Sequence, residues 1–178
     1  MLFRSEVLLR VLLSFGFEVE YLFVTPIPEL IAYARSVPHA GAFLYVSASH
    51  NPLGHNGLKF GLAGEGVLPG SRARDVAAGF DRLCANGEER REVVARARAV
   101  SPEAIEAALN AVSLCKPRAV SAYRAFALQV ADGPVGEGSA ASSVSKGVSR
   151  YGCGVLIDFN GSARAASIDV DLLRGIGI

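Results

Sequence analysis

Charge of one sign, clustered cysteines and long apolar runs are all scarce in this sequence, and each scarcity removes a class of function. Eighteen lysines and arginines against seventeen aspartates and glutamates leave a formal net charge of +1. Such a balance projects no broad field toward nucleic acid or an acidic membrane surface, so a small-molecule substrate is the economical expectation. The three cysteines, Cys84, Cys115 and Cys153, are odd in number, far apart and free of metal-type spacing. They are expected to be reduced core thiols of a cytoplasmic protein. No apolar run approaches the roughly 20 residues of a membrane span. The leucine-rich residues 1–17 are interrupted by Arg10 and followed by no small-residue cleavage site, which argues against a targeting peptide.

What is present reads as a layered α/β chain. The length of 178 residues matches roughly one domain. A hydrophobic content of 51% is high enough to expect apolar faces that other domains would cover. Val7, Leu8, Val11 and Leu12 fall on one helical stripe, with Ser5 as its expected N-cap. Phe17, Val19, Tyr21 and Phe23 alternate with Glu18 and Glu20, the pattern of a strand with one wet face. Thr25-Pro26-Ile27-Pro28 opens a helix through about Arg35, residues 41–46 form the next strand, and Ala63-Gly64-Glu65-Gly66 turns a hairpin. Helix, strand, helix, strand predicts an α/β fold with a mixed, largely parallel sheet and flanking helices. Helices are predicted over 71–83, with Val76, Phe80 and Leu83 on one face, and over 90–99. Ser101-Pro102 starts another, with Ile105, Ala108, Leu109 and Val112 as its stripe. Pro117 opens the next, whose Val120, Tyr123, Phe126 and Val130 are expected in the core. The Gly-, Ser- and Ala-rich residues 132–146 read as a mobile linker, followed by a strand at 155–159 and a helix at 168–173. His39 is expected at a surface turn.

The chemistry concentrates in Ser47-Ala48-Ser49-His50-Asn51-Pro52, at the end of the strand 42–46, followed by Asn56-Gly57-Leu58-Lys59. A buried strand delivers Ser49 to a sheet edge, where open α/β sheets place ligands. Pro52 restrains the loop and biases Asn51 away from helix. A serine hydroxyl becomes a useful nucleophile only with a base, a metal or positioned donors, and phosphoryl transfer depends chiefly on positioning and on cations near the transferring oxygens. Lys59 is the nearest cation in sequence.

These residues resemble the phosphoserine loop of the α-D-phosphohexomutases, usually written Thr-Ala-Ser-His-Asn-Pro, and the Asn-Gly-x-Lys that follows it. The resemblance extends to Thr25-Pro26 upstream and, downstream, to Val155-Leu156-Ile157-Asp158-Phe159-Asn160-Gly161, which is similar to the start of the family's second domain. It implies a first-domain fold like that of phosphoglucomutase over residues 1–134 without its first strand, a linker over 135–150, and the opening of a similar second domain over 151–178. It also implies an isomerase that moves a phosphoryl group between the 1- and 6-positions of a hexose phosphate. Ser49 would carry the phosphate, His50 would brace the loop, and Lys59 would contact substrate and assist proton transfer. Ser47, Asn51 and Asn56 would support the loop. Mg²⁺ would be bound through the Ser49 phosphate, and a glucose 1,6-bisphosphate-type activator would prime the enzyme.

No Asp-Gly-Asp-x-Asp-Arg metal loop and no Arg-x-Ser-Gly-Thr phosphate clamp occurs in the sequence. The chain is therefore expected to be an internal piece of such an enzyme, without turnover on its own. The alternatives are a phosphoglucosamine mutase or a non-catalytic sugar-phosphate-binding remnant. Neither nucleic acid nor membrane is an expected partner, and the oligomeric state is left open.

Overall fold

The computed structural model describes residues 2–47, 55–132, 140–152 and 154–178. In chain order the elements are α1 (Leu2–Ser14), α2 (Ile27–Ser36), β1 (Ala42–Ser47), β2 (Gly57–Leu62), β3 (Gly66–Val67), α3 (Gly70–Ala85), α4 (Gly87–Ala99), α5 (Pro102–Asn110), α6 (Val112–Asp132) and α7 (Ala140–Tyr151). A 3-10 turn, Ala163–Ala166, then precedes α8 (Asp169–Gly175). They form two compact units. One comprises Met1–Tyr21 and Leu44–Cys115, the other Leu22–Phe43 and Lys116–Ile178.

In the first unit α1 packs against α4 and α5. Leu9 of α1 is buried, while Val7 is exposed, and Ser5 lies inside the helix rather than at its cap. The helix starts earlier than Ser5 implied, and Leu8, Val11 and Leu12 of the predicted stripe are half-buried beside Leu9. Its C-terminus closes as a Schellman turn: Gly16 takes φ +78°, and the Phe17 and Gly16 N–H groups donate to the Leu12 and Leu13 carbonyls. Arg96 of α4 reinforces this end. It donates to the Ser14 carbonyl at 3.2 Å and lies over the Phe15 ring, 4.4 Å from its centroid. Arg10 reaches the Val100 carbonyl in the same way, at 3.1 Å.

Asn86 serves two helices. Its N–H donates to the Arg82 carbonyl and ends α3, while its side-chain oxygen accepts from the Glu88 and Glu89 N–H groups and starts α4. Glu88 and Glu89 at the start of α4, with Arg96 and Arg98 at its end, complement the helix dipole. Ser101 caps α5 by accepting from the Ala104 N–H, and Ile105 is buried, as the sequence pattern predicts. The stripe of α3 is not covered: Val76 and Phe80 are exposed, and no residue of this helix is buried. Cys84 is exposed as well, contrary to its expected place in a core, because it shares that uncovered helix. Cys115 is buried; Cys153 lies outside the described residues.

The sheet departs from the largely parallel one expected. Among the described residues it is small and antiparallel, three strands in the order β1-β2-β3, with Gly61 opposite Val67 and Leu62 opposite Gly66. A parallel pair needs a long crossover, whereas β2 and β3 are joined directly by the Ala63-Gly64-Glu65 turn, with Gly66 at φ +93° where only glycine is unstrained. The two further strands expected from sequence do not enter it. Residues 17–22 have no ladder, and Phe23 turns into the left-handed region at φ +59°. Val19 and Tyr21 are half-buried and Glu18 and Glu20 exposed, as the alternation predicts, but it fails at the ends, where Phe17 and Phe23 are exposed and Leu22 is buried. Residues 154–159 are likewise outside any strand.

In the second unit Ala32, Tyr123 and Ile168 form a buried cluster, flanked by Val120, Ala127 and Leu172. Helix α6 begins at Val112, so Pro117 lies inside it rather than opening it. An exposed proline in the second turn removes only one helical hydrogen bond near an end where several are unmade anyway. Tyr123 is in the core as predicted, but Phe126 and Val130 are exposed. Helix α7 occupies most of the stretch 135–150 read as a linker, and Val148 within it is buried.

Candidate functional site

The loop that carries the candidate nucleophile leaves β1 after Ser47 and returns to β2 at Gly57. The two strand ends lie side by side: a Cβ placed on Gly57 would stand 3.6 Å from the Ser47 carbonyl oxygen. Ser47 is half-buried at the end of β1 and Asn56 is exposed just before β2. Lys59 is exposed on β2, two residues in, on the strand face it shares with Gly57 and Gly61. The structure thus brings Ser47 and Asn56 to one end of the β1–β2 pair, with Lys59 close behind in the strand. Ser49, His50 and Asn51 lie outside the described residues. Tyr45, on the same face of β1 as Ser47, has its phenol pushed up by burial, which keeps it neutral. His55 is exposed beside Asn56, and His39 is exposed in a turn, as expected.

A second polar constellation was not foreseen. Glu29, in the first turn of α2, is fully buried, with 0% of its surface exposed. Lys116 of α6 spends all three of its donors around it: 2.5 Å to Glu29 Oε1, 2.9 Å to the Val24 carbonyl and 3.3 Å to Thr25 Oγ1. Thr25 donates in turn to the Leu22 carbonyl, and Ser167 donates to Glu29 Oε2 at 2.5 Å. The Thr25-Pro26 pair singled out from sequence is therefore pinned by a lysine far along the chain. The signal was present in the helix: Glu29, Ala32 and Tyr33 follow the i, i+3, i+4 spacing of a buried stripe, so the carboxylate lies where an apolar residue would be expected.

The downstream motif keeps its turn. Asn160 donates its N–H to Asp158 Oδ1 at 2.8 Å, and Asn160 and Gly161 adopt φ +46° and +64°. This is an Asx turn followed by a left-handed pair, the conformation that Asn-Gly tolerates best. Among the described residues no group of three or more His, Cys, Asp or Glu side chains is gathered as a metal site.

The strand-loop-strand that holds Ser49 and Lys59 lies inside a recognised domain. Residues 4–86 match the family described as phosphoglucomutase/phosphomannomutase, alpha/beta/alpha domain I. By this segment, which ends at the shared Asn86 cap, the chain is similar to the first domain of the α-D-phosphohexomutases. Among characterised proteins it is 40% identical over 77 residues to the phosphoglucosamine mutase of Latilactobacillus sakei subsp. sakei (strain 23K). That alignment covers 43% of this chain and 17% of the relative, so the chain spans only a small part of that protein's length. No solved structure matches the chain. Among the described residues, no helix is long and apolar enough to cross a membrane.

Proposed function

We propose that this chain contributes the phosphoserine-bearing loop of a phosphohexomutase, with Ser49 as phosphate carrier and Lys59 as the cation beside it. The observation that carries this reading is the placement of Ser47, Asn56 and Lys59 at the paired β1–β2 ends, inside the matched residues 4–86. In the proposed reaction a hexose monophosphate hydroxyl attacks phosphorus on Ser49. The P–Oγ bond breaks, a new P–O bond to the sugar forms, and the hydroxyl proton, relayed through Lys59, ends on the departing Ser49 Oγ. The bisphosphate then reorients and returns its other phosphoryl group to Ser49. His50 and Asn51 would hold the loop, with Ser47 and Asn56 bracing its two ends.

The substrate class is a hexose 1- or 6-phosphate, and glucosamine phosphate is included because the Latilactobacillus relative carries that name. A glucose 1,6-bisphosphate-type compound would load the serine. A Mg²⁺ ion at the Ser49 phosphate would draw its remaining donors from outside the described residues, which gather no such set. The division into a first domain over 1–134, a connection over 135–150 and the start of a second domain over 151–178 belongs to the same proposal.

The test is a chimaera in which residues 4–86 replace the corresponding segment of the Latilactobacillus phosphoglucosamine mutase. Turnover that disappears with Ser49→Ala and persists with Ser47→Ala is the expected result. A folded chimaera whose turnover survives Ser49→Ala would sink the proposal.

A further inference from the structure

We propose that Glu29 is a two-armed latch, one carboxylate oxygen holding α6 on α2 and the other holding the C-terminal segment 162–175 as a separately releasable piece. The two arms are distinct in the geometry. Oε1 receives Lys116 at 2.5 Å, and Oε2 receives the Ser167 hydroxyl at 2.5 Å. The Ser167 arm stands next to the apolar anchor of the same segment: Ile168 is buried against Ala32 and Tyr123, with Leu172 one turn further on.

The segment is also tied to itself. Arg164 forms an ion pair with Asp169, which joins the 3-10 turn to α8, and the Ser167 N–H donates to the Arg164 carbonyl. At the far end α8 lies close against α6, since a Cβ on Gly175 would come 2.8 Å from Arg124 Nη2. The turn and α8 are thus joined to each other, and their polar link to the carboxylate is Ser167.

The two arms differ in what their loss leaves behind. Without the Ser167 hydroxyl, Glu29 still has Lys116, so no buried charge is stranded and α2 stays on α6. Without Lys116, a carboxylate with no solvent exposure loses its cation, a far larger penalty that falls on α2, α6 and the segment together. This inference does not depend on the catalytic proposal.

The experiment is amide hydrogen exchange by mass spectrometry on the 178-residue chain. A hydrogen bond to a charged group predicts that Ser167→Ala speeds exchange over residues 163–175 roughly 10- to 100-fold, with residues 27–36 and 120–130 unchanged. Ser167→Thr, which keeps the hydroxyl, restores protection. Ser167→Asp, which sets a second carboxylate against Glu29, removes it. Lys116→Met speeds exchange over all three stretches together. Exchange in Ser167→Ala that is unchanged, or that rises equally in all three stretches, overturns the latch. So does an unaltered chain with no protection over 163–175.

Discussion

Glu29 and Lys116, 87 residues apart in sequence, form a 2.5 Å ion pair in which the carboxylate is wholly covered and the lysine side chain is 19% exposed. Such a pair is costly to assemble and more costly to break, because either partner alone is a stranded charge. Lys116→Met should therefore destabilise the fold by about 3–5 kcal/mol, while Glu29→Leu with Lys116→Met should recover most of the loss. Urea unfolding followed by circular dichroism checks both. A double variant as unstable as the single one would show that the charges themselves, rather than their mutual compensation, hold the unit.

The Ser49 assignment predicts a covalent product. A chimaeric phosphohexomutase carrying residues 4–86, incubated with glucose 1,6-bisphosphate, should acquire a phosphate on Ser49. Peptide mass spectrometry reads the position directly, and label confined to Ser47, or absent altogether, contradicts the assignment.

Lys59 is exposed on β2 and is expected to matter to chemistry more than to folding. In the same chimaera Lys59→Met should lower turnover by about a hundredfold or more if it assists proton transfer, with little change in melting temperature. Near-normal turnover would return Lys59 to an ordinary surface residue.

The start of α5 predicts a pH effect. The Glu103 carboxyl is held below its ordinary range, first by its own backbone N–H and next by the Ser101 hydroxyl. A lowered folded-state value contributes stability above the unfolded-state pKa, and that contribution is lost as pH falls through the folded value. Ser101→Ala should move the Glu103 midpoint part of the way back up, as followed by NMR titration, because only the second cause is removed. The lost cap should separately cost about 0.5–2 kcal/mol at neutral pH. An unmoved midpoint would assign the whole shift to the backbone.

Local chemistry was the legible part of this sequence. The β2–β3 hairpin, the Ser101 cap and the Asn160-Gly161 turn each follow from residues within a few positions of one another, so the signal and the structure have the same range. The strand-loop-strand around Ser47, Asn56 and Lys59 was legible for the same reason, although Ser49, His50 and Asn51 lie outside the described residues. Long-range features were not legible. Glu29 required a partner 87 residues away, and no composition rule finds that partner. Alternation at residues 17–23 marked a strand, but a strand also needs a neighbour to pair with, and left-handed Phe23 ends the run. Glycine, serine and alanine at 132–146 suggested a linker, whereas 140–151 form α7, in which the burial of Val148 works against the weak helix propensity of glycine and serine. The sheet's direction depended on which strands join it, and that is decided by tertiary contacts rather than by the pattern of any one strand.

The run Val155-Leu156-Ile157 has a practical consequence for anyone handling the chain. It belongs to no strand, and Leu156 is 101% exposed, with Val155 and Ile157 also open to solvent. Three adjacent aliphatic residues, two of them β-branched, with backbone groups outside any ladder, are a template on which a neighbouring molecule can pair. This short stretch, far in sequence from the serine loop, lowers the solubility ceiling of the preparation. A charge placed at Leu156 should raise that ceiling while leaving the chemistry of residues 47–59 untouched.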